Sequence, residues 1–323
     1  MNYYFAPLEG VIDSVYRRAH NTYFPGVTRY YMPFLSPTVH RSLTPREARE
    51  LPPADSVAFE AVPQLLTKVP EDFLWAAQTC RDLGYREVNL NLGCPSGTVT
   101  AKGKGSGMLR DPDGLDCFLH DIFAKAPLPI SVKTRLGFSS PEEFPRLLEV
   151  LNRYPIHELT VHPRVRNAFY SGAVELEGFR YALQNSKAPV CYNGDLCSLA
   201  EVRAFEAAFP QVQSVMLGRG LVGDPGMLSP GGTTKEALKP FTDMLLEEYQ
   251  AAFGGARNAM FRLKEHWRYL LCLFEGGEKL GKQLRKTTDL GQYQAITARI
   301  LQTLPLRHTL QPDWEHSSVL LTP

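Results

Sequence analysis

The chain lacks the features that would place it in a membrane or in an oxidising compartment. No apolar run approaches the roughly 18 residues that a membrane-spanning helix needs. Its six cysteines are scattered, without a CxxC pair or clustering with histidine, which argues against a structural zinc site and against a disulfide scaffold. The first residues carry neither a basic leader nor an apolar one, so no signal peptide is predicted. We therefore expect a cytoplasmic protein without a membrane partner.

The chain also lacks a strong net charge, since 35 Lys and Arg nearly balance 34 Asp and Glu and leave +1. The charge is uneven, however, because residues 235–310 hold 12 basic and 8 acidic side chains. A modestly basic region on a neutral body is compatible with a phosphate-rich partner, although ordinary helical surfaces also show it. With 323 residues, the chain can form one large domain and a smaller one.

Short β-type segments alternate with helical periodicity over the first 220 residues. The predicted strands are Tyr3–Ala6, Thr28–Tyr31, Pro63–Leu66, Val88–Leu92, Ile130–Thr134, Leu159–His162, Val190–Asn193 and Val215–Gly218. The predicted helices between them are Phe73–Leu83, Gly114–Lys125, Pro141–Tyr154 and Leu199–Phe209. This alternation predicts an α/β fold, and eight βα units of this length match a (β/α)₈ TIM barrel. A doubly wound sheet is the alternative, but no GxGxxG motif follows the first strand.

The remainder of the chain has no β-type segment. Turn-forming residues 229–234 predict a linker, and Leu238–Phe253, Ala256–Phe274 and Gly281–Leu304 repeat apolar residues at helical spacing. We therefore predict a barrel domain over residues 1–234, a small all-helical domain over residues 235–310 and a tail over residues 311–323.

The strand Val88–Leu92 ends at a chemically distinctive turn, in which Gly93 is followed by Cys94 and Pro95. In TIM barrels, the carboxyl ends of the strands carry the active site, so the turn places a thiol where chemistry is usually done. A buried structural cysteine is the alternative, because a free cysteine packs well as a small hydrophobic residue.

Polar side chains follow most of the other predicted strands. They are Glu9, Gln64, Asn91, Lys133, Arg135, His162, Arg164, Asn193, Asp195 and Arg219. Each alone has a structural explanation, but their common position on one barrel face predicts a site. The last two barrel loops contain Asn193-Gly194-Asp195 and Gly218-Arg219-Gly220, and such loops often bind phosphate. A phosphate-bearing cofactor is therefore predicted, and a cation such as Lys133 would stabilise a reduced flavin ring.

Five motifs resemble those of the tRNA-dihydrouridine synthases, a family of flavin-dependent (β/α)₈ enzymes with a helical C-terminal domain. They are Ala6-Pro-Leu-Glu-Gly10, Asn91-Leu-Gly-Cys-Pro-Ser96, Ser131-Val-Lys-Thr-Arg-Leu-Gly137, Leu159-Thr-Val-His-Pro-Arg164, and Asn193-Gly-Asp195 together with Leu217-Gly-Arg-Gly220. They follow the family's order and spacing from about residue 2 to 305, and the helical part matches loosely. The chain departs from the usual pattern at Leu8, at Gly97-Thr98 and at Pro163, where methionine, lysine and glycine are more common.

The resemblance implies FMN as the cofactor and NADPH as its reductant. The implied FMN-binding residues are Pro7, Leu8, Glu9, Gln64, Lys133, His162, Asn193, Gly194, Asp195, Gly218 and Arg219. Flavin N5 would pass a hydride to C6 of a tRNA uridine, and Cys94 would protonate C5. A thiol with a pKa of about 8.5 is mostly protonated at neutral pH, which suits an acid better than a nucleophile.

The resemblance also implies tRNA as the partner of a monomeric protein. The implied tRNA-contacting residues are Asn91, Lys102, Lys104, Arg135, Arg164 and Arg268. Asn91 would bind the edge of the uracil, and the glycine-rich segment 101–108 would close over it as a flexible lid carrying Lys102 and Lys104. A uridine inside folded tRNA must leave its stack first, and phosphate contacts elsewhere would supply the energy.

Two other functions remain open at this point. A flavin barrel similar to dihydroorotate dehydrogenase would act on a free pyrimidine with related chemistry, but it would not need a basic helical domain. An RNA-binding protein that acts without catalysis would keep its effect after Cys94→Ala.

Overall fold

The computed structural model describes residues 1–314, and its centre is a parallel β-barrel. The strands are β1 (Asn2–Phe5), β2 (Arg29–Tyr31), β3 (Glu60–Val62), β4 (Gln64–Leu65), β5 (Val88–Leu92), β6 (Ile130–Gly137), β7 (Leu159–Val165), β8 (Val190–Asn193) and β9 (Ser214–Leu217). They pair in the order β3-β2-β1-β9-β8-β7-β6-β5-β4. The first strand pairs with the last, with Phe5 opposite Leu217, which excludes a doubly wound sheet.

Pro63 divides one barrel strand into β3 and β4. Proline has no N–H group to donate to a neighbouring strand, so it interrupts the regular pairing. The carbonyl of Val62 accepts from the Met32 amide at 2.9 Å, and the carbonyl of Pro63 accepts from the Asn89 amide at 2.8 Å. The two halves therefore face different neighbours, and the chain through Pro63 closes the barrel. Counted this way, the barrel has eight strands, and the predicted TIM barrel is confirmed.

Side chains fill the barrel interior up to the carboxyl ends of the strands. Tyr4, Tyr31, Val62, Cys191 and Met216 form a buried cluster apart from the main core. Above this cluster the barrel is open rather than packed with side chains, because Met216 also borders the large cavity described below. The cluster is thus the floor of that cavity.

Helices surround the barrel. They are α1 (Ser14–Tyr23), α2 (Pro45–Glu50), α3 (Pro70–Asp82), α4 (Gly97–Thr100), α5 (Pro112–Phe123), α6 (Phe144–Leu151), α7 (Leu176–Asn185), α8 (Leu199–Ala208) and α9 (Arg219–Gly223). Two short ones, α4 and α9, border the cavity at the carboxyl ends of the strands. The helix predicted from Pro141 begins as a 3₁₀ turn, Pro141–Glu143, in which the Ser140 amide donates to the Glu143 carboxylate at 3.0 Å. No helix within residues 1–314 is long and apolar enough to cross a membrane.

Up to residue 314, four further helices follow the barrel: α10 (Lys235–Phe253), α11 (Ala256–Leu270), α12 (Glu278–Lys286) and α13 (Leu290–Thr303). The last predicted helix is therefore two helices. The break lies at residues 287–289, where the carboxylate of Asp289 accepts from the Gln292 amide at 2.8 Å and caps α13. A capping aspartate favours a new helix start over continuation of the preceding helix.

The helical region packs directly against α1 and the loop before it. The hydroxyl of Tyr249 donates to the Asp13 carboxylate at 2.7 Å, and Nε2 of His266 donates to the Val11 carbonyl at 2.7 Å. One hydrophobic core runs through barrel and helices. The boundary predicted at residue 234 coincides with Thr234, which caps the first helix after the barrel, α10. The division into two domains stays a prediction. The tail predicted over 311–323 lies mostly in residues 315–323, outside the described residues.

Candidate functional site

A cavity of about 670 Å³ lies at the carboxyl ends of the barrel strands. All residues predicted to hold the cofactor border it, as do four further predicted site residues, Asn91, Cys94, Arg135 and Arg268. The other three predicted tRNA contacts lie elsewhere: Lys102 and Lys104 are in the loop after α4, and Arg164 is buried beneath the cavity. The structure therefore brings fifteen predicted residues to one space, fourteen of them from seven strand ends and Arg268 from α11.

Asn91 holds the backbone of the Cys94 turn. Its side-chain oxygen accepts from the amides of Gly93 at 3.0 Å and Cys94 at 2.8 Å. Its side-chain nitrogen donates to Gln64 at 2.7 Å, and Gln64 donates in turn to Asn89 at 2.8 Å. One hydrogen of the Asn91 amide group is left for a ligand, because the group has two. The turn is thus fixed by a chain of buried amides.

The glycine-rich segment supports the same turn from the other side. The hydroxyl of Ser106 donates to the Cys94 carbonyl at 2.7 Å, and a Cβ on Gly105 would lie 3.0 Å from the Cβ of Cys94. Gly105 has φ +57°, which only glycine adopts without strain. Residues 105–109 are buried, so this half of the segment packs under Cys94 and is not the flexible lid that the sequence suggested.

The other half of the segment carries the predicted lysines outside the cavity. Lys102 is exposed, and Nζ of Lys104 donates to the Ser36 hydroxyl at 3.2 Å. Burial lowers the pKa of Lys104, and the charges of Lys102 and Lys68 lower it further. Lys68, which the sequence analysis missed, therefore belongs to the same group of three lysines.

Cys94 is half-buried, with its thiol at the edge of the cavity. Burial raises the pKa of the thiol above its ordinary value, because a thiolate is poorly solvated there. A hydrogen bond from the Ser96 backbone and the charges of Arg135 and Lys133 oppose this shift without reversing it. The thiol is therefore protonated at neutral pH and can donate a proton.

Two basic side chains approach the cavity from neighbouring strands. Register places Lys133 of β6 beside Asn91 of β5, and Arg135 beside His162 of β7. Burial and the Arg135 charge lower the pKa of Lys133 to about 7. No carboxylate within residues 1–314 forms an ion pair with Lys133. An amine that is largely desolvated and has no counter-charge is suited to bind an anionic group of a ligand.

His162 is neutral, because burial and the charges of Arg135 and Lys133 hold its pKa well below the usual range. Its Nε2 lies 3.1 Å from a guanidinium nitrogen of Arg164. An arginine can only donate, so Nε2 accepts and the ring hydrogen is on Nδ1. The tautomer of His162 is therefore set by Arg164.

Arg164 belongs to a buried ion-pair network. It pairs with one carboxylate oxygen of Asp195, and Arg219 pairs with the other at 3.1 Å. Asp195 has φ +37°, an unusual backbone conformation that aspartate and asparagine tolerate better than most residues. The side chains of Arg164 and Asp195 are 1% and 3% exposed, so Arg164 acts from below the cavity. Its predicted contact with tRNA stays a prediction.

Arg135 is also held by the protein. Nε donates to the Gly93 carbonyl at 2.8 Å, and Nη1 donates to the Val165 carbonyl at 3.0 Å. The first bond ties β6 to the Cys94 turn. Arg135 borders the cavity but is 1% exposed, so it can meet a substrate only inside the cavity. Arg268, in contrast, is exposed on α11 at the rim.

Besides Phe34 in the loop after β2, four aromatic residues at the cavity were missed by the sequence analysis: Phe169, Tyr170, Tyr269 and Trp314. Phe169 and Tyr170 are 43% and 49% exposed in the loop after β7. Phe169 and Tyr170 could have been predicted from the sequence, because they are two adjacent aromatic residues shortly after a strand end. No local pattern marks the other two, because they come from the distant C-terminal region.

The raised pKa of Cys94 predicts slow alkylation at neutral pH. Iodoacetamide reacts with the thiolate, so the rate at Cys94 should keep rising roughly tenfold per pH unit above pH 9. In the guanidinium-denatured chain, burial is lost and the rate should level off at lower pH. Peptide mass spectrometry of protein labelled between pH 6 and 10.5 measures, for the folded and the denatured chain, the pH at which the alkylation rate reaches half its maximum. A folded-state midpoint at or below the denatured one would contradict the assigned shift.

Comparison with known proteins supports the resemblance. Residues 4–300 match the family described as Dihydrouridine synthase (Dus). A probable tRNA-dihydrouridine synthase of Rickettsia bellii is 31% identical over 77% of this chain and 78% of its own length. Probable tRNA-dihydrouridine synthase 1 of Synechocystis is 27% identical over 93% of this chain and 86% of its own length.

A more remote likeness is to the solved structure of morphinone reductase, with a TM-score of 0.47 and 12% identity over 70% of this chain and 84% of that chain. The family match extends from β1 into α13 and therefore includes both the cavity and the helical region. The chain thus belongs to the dihydrouridine synthase family and, as its motifs predicted, is a flavin-dependent oxidoreductase.

Proposed function

We propose that this protein is a tRNA-dihydrouridine synthase that reduces the C5–C6 double bond of uridine. The observation that carries the proposal is that one cavity brings together a protonated Cys94 thiol and a half-buried Lys133, which has no ion-pair partner within residues 1–314. An acid and a cation beside an enclosed volume suit a reaction that adds a hydride and a proton to a ring. The names of the relatives from Rickettsia and Synechocystis support tRNA as the substrate.

The residues at the cavity fit FMN. A volume of about 670 Å³ is within the range of cofactor pockets, roughly 300–1,000 Å³. Lys133 would stand near the ring, where a cation stabilises the negative charge of a reduced flavin. Gly194, Gly218 and Arg219 would meet the phosphate at the last two strand ends. Bound FMN, reduced by NADPH, supplies the hydride for C6 of the uridine.

Cys94 donates the proton to C5 in this proposal. Its sulfur begins as a neutral thiol and ends as a thiolate, which the charges of Arg135 and Lys133 stabilise. The amide chain through Asn91 and Gln64 fixes the turn, so the thiol stays in place during the transfer. The second amide hydrogen of Asn91 is available to a carbonyl oxygen of the uracil.

The tRNA would reach the cavity from the rim. A uridine in a stacked or paired region must be turned out before it enters a barrel. Lys68, Lys102 and Lys104 form a group of neighbouring cations outside the cavity, and Arg268 lies at its rim. We expect these side chains to bind backbone phosphates. We further propose that residues 235–310 act as the tRNA-binding domain of a cytoplasmic monomer.

An anaerobic two-step experiment tests the proposed function. The purified protein is loaded with FMN and reduced with NADPH, and tRNA from cells without dihydrouridine is then added while flavin absorbance is followed. Reoxidation by this tRNA, with no reoxidation by fully modified tRNA as the matched control, is the expected result. If tRNA does not reoxidise the reduced flavin but a free pyrimidine such as orotate does, the substrate is a small molecule and not tRNA. Failure to bind FMN would overturn the proposal.

A further inference from the structure

The last described residues return to the barrel after the helical region. Residues 304–314, here called the C-terminal segment, run beside residues 272–275. The amide of Arg307 donates to the Leu273 carbonyl at 2.8 Å, and the amide of Gln311 donates to the Cys272 carbonyl at 3.2 Å. Leu306 and Phe274 form an antiparallel bridge next to the first of these hydrogen bonds, and the amide of Glu275 donates to the Pro305 carbonyl at 3.0 Å on its other side. The path of the segment is therefore fixed by backbone hydrogen bonds.

The segment is also anchored by burial. Leu310 is 4% exposed and packs on α9, where a Cβ on Gly223 would lie 2.9 Å from its methyl carbons. Three residues later, the Asp313 carboxylate accepts a hydrogen bond from the thiol of Cys272 at 3.5 Å. Helix α9 begins with Arg219, so the segment ends beside the strand end that is expected to meet phosphate.

Trp314 is the point at which the segment enters the cavity. Its ring is 5.6 Å from the guanidinium of Arg219 and 5.3 Å from the ring of Tyr269. The ring of Tyr170 is 5.3 Å from the same guanidinium. Two aromatic rings and the Asp195 carboxylate therefore fix Arg219. Such contacts suit arginine, whose planar group stacks on rings while its N–H groups bind anions.

The indole nitrogen of Trp314 provides the second observation. Its N–H group is buried and has no acceptor within residues 1–314. An unsatisfied buried donor costs roughly 1–3 kcal/mol, and buried donors in proteins normally have a partner. A ligand in the cavity is a source of that partner, because Trp314 borders the cavity beside Arg219.

We propose that Trp314 is a cofactor-binding residue, which donates its indole N–H to the phosphate of FMN and holds Arg219 against it. The ligand chemistry is a phosphomonoester, which supplies several acceptor oxygens and the negative charge that Arg219 attracts. This inference rests on the proposed function, since it requires FMN in the cavity. It extends the site beyond the barrel to a residue from the end of the chain.

Flavin selectivity tests the assignment without any measurement of catalysis. Dissociation constants for FMN and for riboflavin, which lacks the phosphate, are measured by ultrafiltration of apoprotein with each flavin. In Trp314→Leu, the constant for FMN should rise roughly tenfold to a hundredfold, the value of a hydrogen bond to a charged group. The constant for riboflavin should stay unchanged. Trp314→Phe keeps a ring beside Arg219 but lacks the N–H group, so it should lose most of the same selectivity.

Trp75 on α3 provides the matched control, because it is half-buried outside the barrel and does not border the cavity. Trp75→Phe should bind both flavins as the wild type does. Unchanged FMN binding in both Trp314 variants would overturn this inference and leave the proposed function standing. An equal loss for FMN and riboflavin would overturn the phosphate contact. A wild-type protein that binds neither flavin would overturn the proposed function itself, and this inference with it.

Discussion

The Cys94→Ala variant is expected to transfer hydride to tRNA about 10²- to 10⁴-fold more slowly, the usual contribution of a positioned general acid. The side chain that protonates C5 is missing, and no other thiol borders the cavity except the buried Cys197. Reduction by NADPH should keep its wild-type rate, because that step needs no proton from Cys94. Anaerobic stopped-flow absorbance measures the two steps separately.

Cys117→Ala is the control for this experiment, since Cys117 is exposed on α5 away from the cavity. It should leave both steps at their wild-type rates. If Cys94→Ala is reoxidised by tRNA as fast as the wild type, the proton comes from another group, and Cys94 is a packing residue. A variant that is slow in both steps would instead indicate a damaged cofactor site.

The second large effect is expected on stability. Asp195→Asn should lower the free energy of unfolding by about 3–5 kcal/mol, because it removes the carboxylate that pairs with the buried guanidinium of Arg164. Asparagine tolerates the φ of +37° at this position, so the change tests the charge and not the backbone. Urea unfolding of the apoprotein, followed by circular dichroism, measures the difference.

A surface ion pair supplies the comparison for Asp195. Asp113 is 88% exposed and pairs with Arg146 at 3.0 Å. Exposed pairs typically contribute about 0–1 kcal/mol, so Asp113→Asn should unfold almost as the wild type does. Equal urea midpoints for the two variants would show that the network around Asp195 does not stabilise the fold.

Sequence predicted the barrel well because its strands are short buried runs between turn-forming residues. Val88–Leu92 was predicted with the bounds that the structure has, and all five of its residues are buried. Helix α7 was missed; only Phe179 and Ala182 in it are buried, and no side chain caps its start. Helix α13 was joined to α12 because its start depends on a single cap, Asp289.

The cavity residues were predictable for a different reason. In a parallel barrel, the carboxyl ends of all strands lie at the same opening. The residue that follows each strand can therefore be assigned to the site from the sequence, without knowledge of distant contacts. The surroundings of those residues were not predictable. The burial of Arg135 and Arg164 depends on carbonyl groups at positions 93, 165 and 172, and Trp314 comes from the far end of the chain.

The bonds from Tyr249 and His266 to residues 11–13 have a mechanical consequence. They fasten the helical region to the loop that follows β1, and the same loop begins with the cavity residues Pro7–Glu9. If the helices bind tRNA as proposed, they would hold the RNA at a fixed distance from Cys94. The shape of the RNA across that distance would then select the uridine that reaches the thiol.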